Sequence, residues 1–183
     1  MKKTILFALL ALAIPASAAS IDWKLNTGRS GYMTNSDGDK VTGTAYLLLK
    51  SDLDNASFTS ENDIIALAIG KADGGLKITD GKNTETKTST DGRLTAPDSY
   101  TFQVVVYDKV KNEYFTSSVE KEQNTYNLSG DEYTDAKQIT FSAAQMYADA
   151  DTRNTQTYHS VPEPSVAIMG LLGLGMLLKR RRA

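Results

Sequence analysis

The side chains that carry most enzyme chemistry are scarce in these 183 residues. There is no cysteine, so a thiolate nucleophile, a thiolate metal site and a disulfide are all excluded. The single histidine, His159, lies two residues before a proline-rich segment, where no scaffold is expected to hold its imidazole for acid-base work. Carboxylates are plentiful. The pairs Asp37/Asp39, Asp52/Asp54 and Asp149/Asp151 are spaced i,i+2, which on extended chain brings two acids to one face, as a carboxylate pair or a calcium site requires. The most suggestive stretch is Asn35-Ser36-Asp37-Gly38-Asp39. However, Lys40 stands where a calcium loop needs its glycine and Tyr46 where it needs its bidentate glutamate, so an Asp-Gly turn with solvated acids is expected. No Ser-His-Asp set, phosphate loop or metal-spaced histidine pair occurs, and neither a cofactor nor a metal is expected. Two acids suffice for glycoside hydrolysis, so carboxylate-only glycosidases are the serious exception to a non-enzymatic reading. The nine tyrosines could stack on sugar rings, although at alternate strand positions they are expected to be half-buried sheet residues.

Charge is distributed by segment. Residues 20–161 hold 14 Lys and Arg against 21 Asp and Glu, a net charge of −7, while the whole chain is at −2 because both ends are basic. An acidic body argues against a nucleic-acid partner. The N-terminal end has Lys2 and Lys3, an apolar core over residues 5–14, and Pro15. Ala16-Ser17-Ala18 follows, the small-residue pattern that signal peptidase requires, with Ser17-Ala18-Ala19 as the alternative one position on. Residues 1–18 therefore read as a secretory signal peptide, which makes the export machinery and signal peptidase expected partners.

The C-terminal end is the most specific stretch of all: Val161-Pro162-Glu163-Pro164, an uncharged apolar run over residues 165–178, then Lys179-Arg180-Arg181-Arg182. The two prolines fix φ and remove donors, so a helix can begin only after them. Fourteen helical residues would span about 21 Å against a hydrocarbon core of about 30 Å, a marginal span. The basic cluster can snorkel and sets the orientation with the C-terminus inside. A permanent single-pass anchor and a buried core helix are the plainer alternatives.

This tail resembles the PEP-CTERM sorting signal of Gram-negative, exopolysaccharide-producing bacteria, in which a Pro-Glu-Pro motif precedes a short membrane helix and a basic terminus. The likeness covers about the last 23 residues. It implies sorting and cleavage by an exosortase-type membrane protease, with transient membrane tethering and then delivery to the cell surface, outer membrane or extracellular space. Within that setting two functions are expected. The first is a structural or adhesive component of the cell surface or matrix, and the second a carbohydrate-binding module for exopolysaccharide or host glycans.

The body between the signals, residues 19–148 with a polar spacer over 149–160 ahead of the 161–183 tail, has short apolar runs separated by turn residues. That pattern predicts a mainly β fold, a single β-sandwich or Greek-key-like domain with one or two short helices. Residues 21–25 alternate as a first strand, and residues 44–50 are apolar enough to be buried on both faces. Ser60 is placed to cap a helix that Gly74-Gly75 would end, with a buried strand over the same isoleucine-rich run as the competitor. The polar stretch 79–97 is expected to hold some strand. Residues 100–107, with Tyr100, Phe102, Val104 and Val106 on one face, form the clearest strand, turning at 108–112 into a partner over 113–120. Further strands are expected at 125–128 and 138–142.

Overall fold

The computed structural model describes residues 18–27, 31–126, 138–146 and 157–161. These residues are mainly β. In chain order they form β1 (Ala19–Asn26), β2 (Gly43–Leu49), α1 (Lys50–Leu53), α2 (Glu61–Leu67), a 3-10 turn (Lys71–Gly74), β3 (Leu76–Ile78), β4 (Thr86–Asp91) and β5 (Ser99–Asp108). There follow β6 (Glu113–Thr116), β7 (Lys121–Asn124), β8 (Ile139–Ser142), α3 (Ala143–Met146) and β9 (His159–Ser160).

The strands sort into two sheets. The smaller has the order β4-β1-β8, antiparallel on the β4 side and parallel on the β8 side. The larger has the order β3-β2-β5-β6-β9, with β7 also paired to β5. Alternation decides what lies between them. Ile21, Trp23 and Leu25 of β1 and Ile139 and Phe141 of β8 share one buried cluster with Ala45 and Leu47 of β2, with Phe102, Val104 and Val106 of β5, and with Phe115 of β6. Trp23 keeps its indole N–H satisfied inside this core by donating to Ser89 Oγ at 3.0 Å.

The opposite face of the large sheet is covered too, which is why β2 and β5 are apolar at consecutive positions. Tyr46, Leu48, Val105 and Tyr107 meet Phe58, Ile64, Ala68 and Val161 in a second buried cluster. Helix α2 supplies part of that cover. Ser60 caps it as expected, with extended backbone and its hydroxyl accepting the Asp63 N–H at 3.3 Å. In return the Asp63 carboxylate accepts from the N–H and hydroxyl of Thr59, both at 2.8 Å. The helix stops at Leu67, well short of Gly74. Ala68 turns extended, bridging to Leu48, and the Ile69 N–H donates to Leu47 O at 2.8 Å. One apolar run thereby serves two layers: Ile64 packs in the outer cluster and Ile69 in the inter-sheet core.

The β5 hairpin has the expected inward face, but its return strand is interrupted. Pairing runs through β6, breaks at residues 117–120 and resumes as β7 against the first half of β5. At the break Ser117 Oγ accepts the Val104 N–H at 3.2 Å and donates to Val119 O at 2.9 Å, so a hydroxyl takes over a ladder bond. The polar 79–97 stretch holds β4. Residues 138–142 give β8, while of 125–128 only Thr125 and Tyr126 are described, Tyr126 bridging to Ser20.

The end of the expected polar spacer is part of the body. His159 and Ser160 pair with Tyr114 and Glu113, and Tyr158 packs edge-on against Phe115 at 5.4 Å between ring centres. Tyr158 in this otherwise polar stretch and Val161 just after it find apolar ground beside Phe115 and Tyr114 of β6, which local composition does not reveal. Among the described residues no helix is long and apolar enough to cross a membrane, and the run 165–178 lies outside them.

Candidate functional site

Three short segments meet where β5 ends and β6 begins: the loop 35–39, the turn 109–112, and residues 158–161. The turn is made possible by Asn112 at φ 52°, a left-handed conformation that Asn tolerates better than most residues. It places Asp108 and Glu113 directly opposite each other in the ladder. Both carboxylates are buried, at 0% and 5% exposure, so each needs donors.

The 35–39 loop supplies them. Asn35 Nδ2 donates to Asp108 Oδ2 at 3.2 Å, and the Ser36 N–H and hydroxyl each donate to Glu113 at 2.7 Å. The second Asp108 oxygen accepts the Val110 N–H at 2.8 Å. Within the loop, Asn35 Oδ1 accepts the N–H groups of Asp37 and Asp39 at 3.1 and 2.9 Å, and Gly38 takes φ 87°. This is an Asx-organised turn. Asp37 and Asp39 stay exposed, Asp37 in an ion pair with Lys111. Among the described residues no group of three or more His, Cys, Asp or Glu is arranged to hold a metal ion.

Residues 158–161 dock on the same junction. The Val161 N–H donates to Asn112 O at 2.8 Å, and Asn112 Nδ2 donates back to Val161 O at 2.6 Å. Asn112 Oδ1 in turn accepts from the Tyr107 hydroxyl at 2.6 Å, so one side chain ties a turn, a strand and the docked segment together. The Val161 side chain is buried in the outer cluster beside Phe58, Tyr107 and Tyr114. Tyr158 donates to Thr34 O at 3.0 Å. The expectation that nothing would hold His159 is corrected here: its ring stacks on Tyr114 with centres 4.8 Å apart, and its backbone belongs to β9. The imidazole is nonetheless exposed, at the sheet edge.

The remaining sequence candidates fall elsewhere. Asp52 and Asp54 lie on and just after α1 and serve different partners. Asp52 accepts from Arg93 at 2.7 Å and Asp54 pairs with Lys50. Arg93 also binds Asp91 at 2.8 Å and the carbonyls of Leu67 and Ala68, the end of α2, where a cation suits the helix dipole. The hydrogen bonds that Arg93 donates to Asp91 raise the Arg93 pKa. For Asp91, burial works to raise the carboxyl pKa, but the bonds from Arg93 outweigh it and the net shift is downward. Arg93 borders an open cleft of about 620 Å³ lined in part by Leu67, Gly70 and Lys71, with its guanidinium already engaged by protein oxygens. Ala18 is exposed immediately before Ala19, which is buried and donates its N–H to Leu94 O at 3.2 Å. Ala16, Pro162, Glu163, Pro164, Lys179, Arg180, Arg181 and Arg182, like Asp149 and Asp151, lie outside the described residues.

Sequence reasoning missed Asp108, Glu113 and Asn112 as a unit. The local signal was present, an acid opening the turn and an Asn closing it, but the donors that give these residues their role come from more than 70 positions earlier in the chain. The junction spends its polar groups on one another, which is the chemistry of a fastening. No family model, no curated protein and no solved structure matches this chain.

Proposed function

We propose that this chain is an exported structural or adhesive protein of the cell surface or extracellular matrix. Its β-sandwich body works by presenting surface, without turning over a substrate. A signal peptide ending at Ala18 opens export. The tail beginning at Val161-Pro162-Glu163-Pro164 holds the protein at the inner membrane until an exosortase-type protease releases it. The observation that carries this reading is the order of that tail: Pro-Glu-Pro, an uncharged run, four cations. Support from the body comes at Ala19, where β1 begins one residue after the expected cleavage position and the side chain is already in the core. Two sheets over one shared core, with the chain passing back and forth between them, support the sandwich.

The sugar-binding alternative asks for exposed aromatic rings on one sheet face. Tyr32, Tyr46, Tyr100, Tyr107, Tyr114, Tyr126 and Tyr158 are all at least partly buried. Tyr107, Tyr126 and Tyr158 spend their hydroxyls on Asn112, Asp22 and Thr34. Presentation without a dedicated sugar platform is therefore the preferred reading. Incubating the purified body with exopolysaccharide and a panel of glycosides tests it, with retention on the polymer and release of reducing ends both measured. Neither retention nor release is expected. Retention alone would move the assignment to a sugar-binding module, and release abolished by one Asp or Glu substitution would make the protein a glycosidase.

A further inference from the structure

Val110 is the one large hydrophobic side chain standing free in solvent among the described residues, 73% exposed at the tip of the turn between β5 and β6. It sits between the exposed lysines Lys109 and Lys111, the latter in a surface ion pair with Asp37, with Lys40 and Asp39 also exposed on the neighbouring loop. Two residues past Val110, Asn112 binds both backbone groups of Val161. The turn therefore lies beside Val161, the last described residue before the apolar run in the sequence. From Val161 to Ser165 the fully extended chain reaches at most about 14 Å, and the headgroup layer on one side of a bilayer is about 5–8 Å thick.

From this geometry we propose that the 109–112 turn is a membrane-contacting tip. Val110 enters the interface, Lys109 faces the phosphates of an anionic, phosphatidylglycerol-type bilayer while the tail is inserted, and Lys111 exchanges its solvent-exposed pair with Asp37 for the same phosphates. The inference rests on the reading of residues 165–178 as membrane-inserted and adds a second point of contact to it. A body at −7 is not drawn to such a surface as a whole. The short tether instead holds the tip there at high effective concentration, and the flanking lysines make the local contact favourable. Two contacts fix the body's orientation where one would leave it free to swivel.

Because the chain has no cysteine, a single one can be placed and labelled anywhere. Full-length protein would be reconstituted in phosphatidylglycerol–phosphatidylcholine vesicles carrying shallow nitroxide lipids, with a fluorophore at Val110→Cys, Asn124→Cys or Ser165→Cys in turn. Asn124 pairs with Ser99 at the far end of β5, about 30 Å from the turn. The Val110 label is expected to be quenched several-fold more than the Asn124 label, and the difference to collapse when Lys109 and Lys111 are replaced by Glu. A quenched Ser165 label with Val110 no more quenched than Asn124 would overturn the tip while leaving the tail reading intact. An unquenched Ser165 label would overturn both. Equal Val110 quenching in pure phosphatidylcholine would overturn the assignment to an anionic surface.

Discussion

The two faces of the large sheet are both buried but chemically unlike. The inter-sheet side is filled by Phe102, Val104, Val106, Trp23, Phe115 and Phe141, and in the cluster itself no side chain titrates. The outer side, under α2, is built from Tyr46, Tyr107, Phe58, Ile64 and Val161, with Tyr114 packed at its border. The first is a core that only needs to be filled. The second is a thinner layer in which phenol groups reach out to Glu61 and Asn112, and in which the last described residue of the chain is seated. Stability resides mainly in the former. The latter decides how the C-terminal segment is held.

Adjacent residues allow the sharpest break of that contrast. Val104 and Val105 are both fully buried, one on each face. Val104→Asp is expected to cost more than about 4 kcal/mol and leave little folded protein, because an unpaired charge would sit between two sheets. Val105→Asp should cost less, since the helical layer can open locally to admit water. Equal costs in denaturant titration would contradict the distinction. Next in size, Phe58→Ala should remove about 3 kcal/mol through lost burial and the edge-on contact with Tyr114 at 5.1 Å. Asn112→Ala should cost about 1–2 kcal/mol and raise amide exchange at Val161 while exchange in β1 stays unchanged.

The smallest effect is one of pH. Burial raises the hydroxyl pKa of Tyr46, with the Glu61 hydrogen bond adding to it, and burial likewise raises those of Tyr107 and Tyr114. A group raised in the folded state contributes stability that is complete below its unfolded pKa of about 10 and is lost as pH climbs from there toward the folded value. Burial also raises Tyr158 at the border of the inter-sheet core and Tyr126 beside β1. Only in the outer layer do the raised phenols of Tyr46 and Tyr107 belong to the buried cluster itself, so the outer layer should loosen in alkali first. The chain's single tryptophan, Trp23, lies in the other layer and reports on it. Tyrosinate absorbance should rise above about pH 10 before Trp23 fluorescence shifts. Simultaneous change would mean that the two layers do not separate.

What was legible in the sequence is what alternation and capping can encode within a few residues. The face of Tyr100, Phe102, Val104 and Val106, the double burial of β2 and the Ser60 cap are all of this kind. Non-local pairings were hidden. Nothing near residues 139–142 says that they lie parallel to β1, and the early end of α2 depends on Leu47 O, twenty-two positions before Ile69. The seat of Val161 was hidden for the same reason, since Asn112 looks like an ordinary turn residue until its partner 49 positions later is known. The acid pairs drew attention by spacing alone. The buried acids that matter to the fold, Asp108 and Glu113, are paired by a ladder and a loop that spacing does not encode.

On the proposed function both ends are signals, and the body between them is what reaches the surface. Intact-mass measurement of the protein recovered from the surface of its native host tests this most directly. The recovered chain is expected to begin at Ala19, the first residue of β1, and to end after the docked Val161 but before Ser165. A surface-exposed chain that still ends at Ala183, or that still begins at Met1, would contradict it.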